Sequence, residues 1–364
     1  MPEASALPDL TALVAAATAV RVEVGHGLVP VTLATLRGPW FLVTQSEPLA
    51  ALPPGLVARA AAVFEVDSLA RADLEALVAR VARIPKEVAT VVGFGGGMAI
   101  DAAKWIAWRR DLPLILAPSI VSVDACVTNT VAVRDGGTIV YEGFVVADRI
   151  IVDTDIVGRA PTRLNRAGVG DLLSIHTGLF DWRLGAAAGR IAFDEDIAAA
   201  AAAVLDRTEA LAPEIAAVSE AGVGGLVSMY AEVNALCLRA GHSGPEEGSE
   251  HYLGYSLEEI TGRSFVHGEL IGLGTVLMAA LQGNDPARPA RVLDACRVEW
   301  RPEEQRLARG LLLEALVGLP AFVRAHDLPW SIADEADLSR GAAGRLLDAV
   351  TLDAVTLDAV AGPA

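Results

Sequence analysis

Three successive glycines, followed by an acid and a lysine, are the first feature of this sequence that could support chemistry. They lie in residues 93–104, where a short apolar run ends and a helical pattern begins. Glycine lets the backbone come close to a ligand, and the free N–H groups at a helix start favour negative charge. The pattern therefore predicts a cradle for the pyrophosphate of a dinucleotide, although its spacing differs from the common G-x-G-x-x-G motif. A glycine-rich turn without a ligand is the alternative.

An aspartate and two histidines in the second half of the sequence form another candidate site. Asp171 follows a glycine-rich stretch, and His251 and His267 each lie near a predicted helix start. One carboxylate and two imidazoles would hold a divalent ion and leave open positions for water or a substrate oxygen, as catalytic metal sites require. Spacing alone does not link the three residues. Each histidine could instead be a structural residue beside a loop, and Asp171 a helix cap.

The elements that must position these residues differ between the two halves of the chain. Up to residue 158, strand-like runs alternate with helical stretches, which predicts an α/β domain with a largely parallel sheet. After Pro161 the strand signal ends, and Ala- and Leu-rich segments at helical spacing predict an all-helical domain. We therefore expect a nucleotide-binding domain at residues 1–158, a helical metal-binding domain at 159–364 and a cleft between them. The predicted strands are 40–44, 61–66, 89–94, 114–117 and 150–152, and the main predicted helices are 69–83, 194–212, 226–240 and 303–316.

Composition and charge exclude several classes of partner. The chain has 364 residues, 53% of them apolar, and a net charge of −17. Such an acidic surface repels nucleic acid and anionic membranes. The sequence shows neither a basic start typical of secretion signals nor an uncharged apolar run of about 18 residues. We expect a cytoplasmic protein that acts on small molecules, with homo-oligomerisation left open.

The C-terminal segment has an unusual repeat. Leu-Asp-Ala-Val recurs at residues 347, 352 and 357, and this period of five matches neither a helix nor a strand. The sequence therefore predicts a poorly specified tail.

Taken in order, these motifs resemble the glycerol-1-phosphate dehydrogenase branch of a superfamily that also contains iron-containing alcohol dehydrogenases, glycerol dehydrogenases and dehydroquinate synthases. The resemblance rests on the glycine turn, on residues 168–171 and 181–182, and on residues 249–251 and 267–269. It implies an α/β nucleotide-binding domain, an all-helical metal domain and a deep cleft between them. It also implies that Asp171, His251 and His267 bind one divalent ion, usually zinc or iron.

The resemblance assigns further roles around the glycine turn and the loop after the strand at residues 114–117. Gly95, Gly96 and Gly97 would hold the pyrophosphate of NAD or NADP, and Asp124 would face the substrate hydroxyls as the catalytic residue. Asp101 would lock the turn. The implied cofactor-binding residues are Gly95, Gly96, Gly97, Asp101, Lys104, Ser119 and Ser122.

The implied reaction is a metal-dependent, NAD(P)-linked oxidation of an alcohol or polyol, which could carry a phosphate. The ion would make a hydroxyl more acidic or polarise a carbonyl, and hydride would pass between the substrate carbon and nicotinamide C4. The protein would contribute orientation and the exclusion of water.

Two departures from the family pattern bear on specificity. Val123 stands where the family carries the histidine of Ser-His-Asp-Gly, so a donor to substrate or phosphate is lost. The segment at residues 44–47 reads Thr-Gln-Ser-Glu, so no acid stands directly after the strand, where the family often places one to hold the adenosine ribose. A 2′-phosphate would not be repelled there, which predicts tolerance of NADP.

Two alternative functions remain. A sugar-phosphate cyclase of the dehydroquinate synthase type would use the same fold, but it needs several cations around the substrate phosphate. The chain offers only Lys86 and Lys104, with Arg263 as a substitute. A non-catalytic dinucleotide binder is the other alternative, and the retained metal triad argues against it.

Overall fold

The computed structural model describes residues 20–83, 90–135 and 138–360. Its strands are β1 (Arg21–Gly25), β2 (Trp40–Thr44), β3 (Ala62–Glu65), β4 (Thr90–Gly95), β5 (Leu114–Pro118), β6 (Val131–Asp135), β7 (Thr138–Glu142) and β8 (Arg149–Asp153).

Six strands form one parallel sheet in the order β1-β8-β5-β4-β2-β3. Every residue of β2 and β5 is buried, as expected for a parallel sheet that is covered on both faces. Gly95 pairs with Pro118, so the carboxyl ends of β4 and β5 lie side by side. Chain segments that follow these two strands therefore emerge at the same edge of the sheet.

The helices of the first half are α1 (Leu28–Thr35), α2 (Ser46–Ala50), α3 (Pro54–Val57), α4 (Arg71–Val81) and α5 (Gly97–Arg110). Those that follow β8 are α6 (Thr154–Val157), α7 (Thr162–Ala167), α8 (Val169–Leu173), α9 (Ile175–Ala187), α10 (Glu195–Ala217), α11 (Glu220–Ala240), α12 (Ser249–Thr261), α13 (His267–Gln282), α14 (Ala287–Ala295), α15 (Arg309–Ala325), α16 (Ile332–Glu335) and α17 (Arg340–Val360).

The predicted fold class, a parallel α/β sheet followed by an all-helical half, is confirmed. Within the described residues after Asp153, every regular element is a helix. Helix α13 is buried almost throughout, from Gly268 to Ala279, because nearly every side chain in that stretch is apolar or small. It is the central helix of the second half. The domain division at residue 158 stays a prediction.

The sequence analysis missed three strands. Strand β1 adds an edge to the parallel sheet beside β8. Strands β6 and β7 form a separate antiparallel hairpin, with Val131 opposite Glu142 and Val133 opposite Val140. The hairpin lies outside the alternation of strands and helices on which the prediction was based.

One helix prediction and the predicted C-terminal tail need correction. The helix expected at 303–316 begins only at Arg309, because the chain first passes through turns in which Arg306 has a φ of 55°. The C-terminal repeats do not form an unspecified tail, since α17 runs through all three of them to Val360. Ala and Leu are strong helix formers, and the stretch from residue 345 to 360 contains neither Gly nor Pro.

Among the described helices, α11 is long and apolar enough to cross a membrane. A core helix has the same composition, and α11 buries Leu226, Tyr230 and Val233 inside the protein. Its length and composition are therefore weak grounds for a membrane span.

Candidate active site

The glycine turn joins β4 to α5 at the carboxyl edge of the sheet. Gly95 has a φ of 156°, and a Cβ there would lie 2.7 Å from the Cβ of Ala99. Gly96 caps α5 with extended backbone, and its N–H donates to the Gln45 side-chain oxygen at 3.1 Å. The turn thus presents an N–H group at a helix start, and a neutral amide oxygen occupies it.

The loop after β5 packs against this turn. Ser119 N–H donates to the Gly95 carbonyl at 2.9 Å, and a Cβ on Gly97 would lie 3.1 Å from a Val123 methyl. Ser122 lies half-buried in the same loop. The structure therefore brings Gly95, Gly97 and the two predicted serines to one edge of the sheet, as the sequence analysis expected. Their contact with a cofactor stays a prediction.

Asp101 and Lys104 lie inside the protein rather than at the surface of the turn. Lys104 is 1% exposed, and its ammonium lies 2.7 Å from Asp101 Oδ1. The ammonium also donates to the Thr130 carbonyl at 2.7 Å and to the Thr128 hydroxyl at 3.2 Å. This placement ties α5 to residues 128–130. A direct contact with a cofactor would require the ammonium to leave these partners.

The three predicted metal ligands come together. One donor atom from each of Asp171, His251 and His267 lies within 4.8 Å of the other two. His267 Nε2 is 3.3 Å from Asp171 Oδ1, and the two imidazole rings are 5.4 Å apart. Asp171 Oδ1 is buried and has no hydrogen-bond donor among the described residues. This buried acceptor can therefore take a further partner, such as a bound cation.

Glycines allow the helices that carry these ligands to approach. A Cβ on Gly170 would lie 1.9 Å from the Gly268 carbonyl oxygen, and a Cβ on Gly268 would lie 1.8 Å from the Ala167 carbonyl oxygen. Both positions therefore require glycine. Since Asp171 and His267 are the neighbours of these glycines in sequence, the close crossing of α8 and α13 brings the two ligands together.

Glu250 fixes the ring of His251. The carboxylate of Glu250 is fully buried, and its Oε1 lies 2.8 Å from His251 Nδ1. It also accepts from the Gly248 N–H at 2.6 Å and from the Thr177 hydroxyl at 2.7 Å. Because Nδ1 faces this carboxylate, Nε2 is the nitrogen left for a metal ion. Sequence reasoning gave Glu250 no role, although its position beside His251 was a usable signal.

Asp181 holds the start of α12, which carries His251. Its Oδ2 accepts from the Ser249 N–H at 2.8 Å and from the Ser249 hydroxyl at 2.6 Å, and its Oδ1 accepts from the Ile332 N–H at 2.8 Å. Burial and the charge of Glu250 raise the pKa of Asp181 to about 7. The Asp181-Trp182 motif thus acts on the site through Ser249, without a ligand of its own.

Burial shapes the electrostatics of the three candidate metal ligands. Burial raises the pKa of Asp171 to about 7. Burial and the charge of His251 lower the pKa of His267 to about 4, which favours the neutral, metal-binding form of the imidazole. Burial lowers the pKa of His251, but the carboxylates of Glu250 and Glu247 outweigh it and raise that pKa to about 9.

Asp124 links the two halves of the site. Its N–H lies 3.3 Å from Asp171 Oδ2, and a methyl of the preceding Val123 lies 3.1 Å from where a Cβ on Gly97 would be. Burial and the charge of Asp171 raise the pKa of Asp124 to about 7. The loop between β5 and β6 therefore connects the glycine turn to the triad, with Asp124 at the point of contact.

Comparison with known proteins identifies the family of the chain. A family model described as iron-containing alcohol dehydrogenase matches residues 51–161, which include the glycine turn and the Asp124 loop. Over 265 residues the chain is 33% identical to a glycerol-1-phosphate dehydrogenase (NAD(P)+) of Hyperthermus butylicus, covering 70% of this chain and 72% of that protein. The chain belongs to the glycerol-1-phosphate dehydrogenase branch of the iron-containing alcohol dehydrogenases. The predicted family resemblance is confirmed.

A second relative matches over a smaller share of both chains. The glycerol-1-phosphate dehydrogenase (NAD(P)+) of Methanococcoides burtonii is 32% identical over 230 residues, so the match spans 62% of this chain and 63% of that protein. Solved structures share the fold. A probable glycerol dehydrogenase from Sinorhizobium meliloti has a TM-score of 0.64 and 22% identity over 91% of this chain and 96% of its own. Glycerol dehydrogenase from Schizosaccharomyces pombe has a TM-score of 0.64 and 18% identity, over 92% of this chain and 91% of its own.

Proposed function

We propose that this family member is a divalent-metal-dependent dehydrogenase. It uses NAD or NADP to oxidise a small polyol, free or phosphorylated, and to reduce the matching carbonyl. The observation that carries the proposal is the convergence of Asp171, His251 and His267 on one point, joined through Asp124 to the glycine turn. The names of the relatives, which specify glycerol-1-phosphate and NAD(P)+, agree with it. Such an enzyme would work in the cytoplasm.

The donor set fits a divalent ion of the zinc or iron type. It consists of one carboxylate and two imidazoles, one of them oriented by Glu250, and its Asp171 Oδ1 has no other donor among the described residues. An ion bound there would lower the pKa of a substrate hydroxyl or polarise a carbonyl. Glu250 would keep His251 Nε2 directed at the ion, and the Gly170–Gly268 contact would fix the separation between Asp171 and His267.

The glycine turn would hold the cofactor pyrophosphate. Helix α5 begins there, and the Gly96 N–H, now bound by Gln45 Oε1, would turn to a phosphate oxygen once Gln45 moves aside. The cradle has no side chain at Gly95, Gly96 or Gly97, which leaves its backbone open to a ligand. Since β4 and β5 are neighbours, Ser119 and Ser122 would line the same cofactor.

Asp124 is our candidate for moving the substrate proton. It lies between the cofactor turn and the triad, and its backbone already binds Asp171. A carboxylate at this point could accept the proton of a substrate hydroxyl during oxidation and return it during reduction. Orientation of donor and acceptor carbons would then supply much of the rate.

The cyclase hypothesis requires cations that bind the substrate phosphate, and the described candidates are engaged elsewhere. Lys104 is buried against Asp101, and Lys86 lies outside the described residues. Arg263 stacks on the ring of Phe265 and donates to backbone carbonyls of residues 305 and 306. The guanidinium of Arg263, which would have replaced the missing lysines, is therefore already engaged.

A coupled assay of metal and cofactor dependence tests the proposal. Protein stripped with a chelator and reloaded with zinc or iron is mixed with NAD+ or NADP+ and a panel of polyols and polyol phosphates. We expect reduced cofactor to accumulate only after reloading, with Asp171→Asn inactive. Metal-loaded protein that binds cofactor but reduces none of it with any compound of the panel would contradict the proposal.

A further inference from the structure

A buried tyrosine lies where the loop between β5 and β6 meets helix α8. Tyr230, on α11, is 1% exposed, and its hydroxyl donates to the Gly168 carbonyl at 2.6 Å. The same hydroxyl lies 3.3 Å from the Val121 carbonyl oxygen. Gly168 directly precedes α8, which carries Asp171, and Val121 belongs to the loop. One O–H group therefore bridges the helix of a candidate metal ligand and the loop of the predicted cofactor residues.

The loop and α8 approach as closely as their backbones permit. A Cβ on Gly168 would lie 2.0 Å from the Val121 carbonyl oxygen and 2.2 Å from the Tyr230 hydroxyl, so this position requires glycine. Three residues further along each segment, the Asp124 N–H lies 3.3 Å from Asp171 Oδ2. The loop and the helix are thus joined at two points, and Tyr230 holds the first of them.

Buried side chains from the second half of the chain hold both backbone groups of Val121. Its N–H donates to Asn165 Oδ1 at 3.1 Å, and Asn165 Nδ2 donates to the Val157 carbonyl at 2.8 Å. Asn165 is 2% exposed. The Val121 carbonyl faces the Tyr230 hydroxyl. Asn165 and Tyr230 therefore fix the loop three residues before Asp124.

The Tyr230 hydroxyl stays protonated and acts as a donor. Burial raises the pKa of Tyr230 above its usual range, and the charges of Asp171 and Asp124 raise it further. Both of its acceptors are carbonyl oxygens, which can only accept. Without the hydroxyl, these two carbonyls would lose their shared donor, and the contact between the loop and α8 would loosen.

On the basis of the proposed function, we infer that Tyr230 is a positioning residue for hydride transfer, because it sets the distance between the β5–β6 loop and the helix that carries Asp171. Hydride passes from the carbinol carbon to nicotinamide C4 with both electrons of the C–H bond, and the substrate hydroxyl loses its proton as the C–O bond becomes a carbonyl. Tyr230 keeps its own proton throughout. Because transfer depends steeply on the separation of the two carbons, a small displacement should slow turnover more than it weakens binding.

Tyr230→Phe tests the inference, since it removes the hydroxyl and keeps the ring. With zinc-loaded protein, NAD+ and glycerol 1-phosphate as the probe, we expect kcat to fall about tenfold and both KM values to change by less than about twofold. The primary deuterium isotope effect on kcat, measured with glycerol 1-phosphate deuterated at the carbinol carbon, should rise because hydride transfer would limit turnover. A purely structural role would reduce the amount of folded protein and leave the isotope effect unchanged.

Thr208→Val is the matched control. The Thr208 hydroxyl is also fully buried, and it donates to the Val204 carbonyl at 3.0 Å and to Met229 Sδ at 3.4 Å. These hydrogen bonds stay within α10 and α11, so the control removes a buried hydroxyl beside Tyr230 without touching the loop or α8. It should be destabilised, yet it should keep the kcat and the isotope effect of the natural chain.

A second variant covers the case in which Tyr230→Phe does not fold. Asn165→Ala removes the other hydrogen bond to Val121 and leaves the Tyr230 hydroxyl in place. It should lower kcat and raise the isotope effect in the same direction. An isotope effect equal to that of Thr208→Val would overturn the inference for either variant and leave the dehydrogenase proposal standing.

A binding measurement decides the inference if glycerol 1-phosphate is not turned over. NAD+ is then titrated by calorimetry into metal-free and zinc-loaded protein. We expect zinc to raise the NAD+ affinity of the natural chain about fivefold and that of Tyr230→Phe by less than about twofold, because the hydroxyl joins the two binding regions. An equal effect of zinc on the two proteins would overturn the inference.

Discussion

Glycine serves this chain differently at the β4–α5 turn and at the crossing of α8 with α13. At the turn, Gly95 is needed because of its φ of 156° and the nearby Ala99, and the open backbone faces the predicted cofactor. At the crossing, Gly170 and Gly268 are needed because a carbonyl oxygen occupies the space that a Cβ would take. The first arrangement is local and prepares a ligand cradle. The second is tertiary and brings metal ligands together from distant parts of the sequence.

Gly268→Ala should have the largest effect, because it perturbs the crossing of α8 with α13. A Cβ there would lie 1.8 Å from the Ala167 carbonyl, so α8 and α13 must move apart and the triad must open. We expect a stability loss of about 3 kcal/mol and loss of bound metal. Thermal unfolding and metal analysis of the purified protein measure both effects.

The control for that variant is Gly318→Ala, in α15, where a Cβ would meet nothing within 4 Å. It should raise stability by about 1 kcal/mol, as alanine does inside a helix. If Gly268→Ala kept full metal content and stability, the crossing would not be what positions the ligands.

Glu250→Gln perturbs the metal site without changing the crossing of α8 with α13. The amide can still contact His251 Nδ1, but it lacks the charge that holds the imidazole in its metal-binding orientation. We expect metal affinity to fall about 10- to 100-fold and cofactor affinity to stay the same, as titration calorimetry with each ligand would measure. Glu195→Gln, at an exposed acid paired with Arg183, is the control. Equal metal affinity in both variants would show that Glu250 does not contribute to metal binding.

Gly95→Ala perturbs the local side instead. Alanine at position 95 would have a disfavoured φ, and its Cβ would lie 2.7 Å from the Ala99 Cβ. The turn must therefore shift. Cofactor affinity should fall about tenfold, a loss of roughly 1.4 kcal/mol, whereas metal content should not change. Gly55→Ala, where a Cβ would meet nothing, should bind cofactor normally. Loss of metal in Gly95→Ala would show that the two regions are not independent.

Gln45→Asp tests the cofactor preference, with a smaller expected effect. Gln45 directly follows β2, beside the Gly96 N–H, and a carboxylate there would repel the 2′-phosphate of NADP. We expect the variant to favour NAD over NADP more strongly than the natural chain. Initial rates at equal concentrations of the two cofactors give the ratio, and strict NAD dependence of the natural chain would already reject its predicted NADP tolerance.

The smallest expected effect is a pH dependence of stability that arises at His26, outside both regions. His26 lies 2.9 Å from Asp155 and 3.3 Å from Glu220, and the Asp155 hydrogen bond chiefly raises its pKa above 6.5. A raised folded-state pKa gives stability that is fully present below the unfolded pKa and is lost as pH rises through the folded one. NMR titration measures the pKa of His26. Unfolding of the natural protein and of His26→Gln as a function of pH measures the stability that this histidine contributes. A His26 pKa at or below 6.5 would refute the predicted pH dependence of stability.

Features formed by contiguous residues could be predicted from the sequence, whereas those formed by tertiary contacts could not. The sheet strands at residues 40–44 and 114–117 were predicted because each is a short apolar run between turn signals, and the glycine turn was visible because its residues are contiguous. Asp171, His251 and His267 could be named but not linked by spacing, since their convergence depends on contacts such as Gly170 with Gly268.

Other features had no local signal. Gln45 meets Gly96 only because β2 and β4 are neighbours in the sheet, and Tyr141 meets Tyr255 only because the β6–β7 hairpin reaches α12. The helix through the C-terminal repeats was missed because its period of five concealed a composition that favours helix.

Anomalous diffraction from crystals of the zinc-loaded protein would show whether Asp171, His251 and His267 hold one ion. We predict one strong peak within coordinating distance of Asp171 Oδ1, His251 Nε2 and His267, on the side of the Asp124 loop. A peak at any other place, or no peak between these three side chains at full zinc occupancy, would contradict the account.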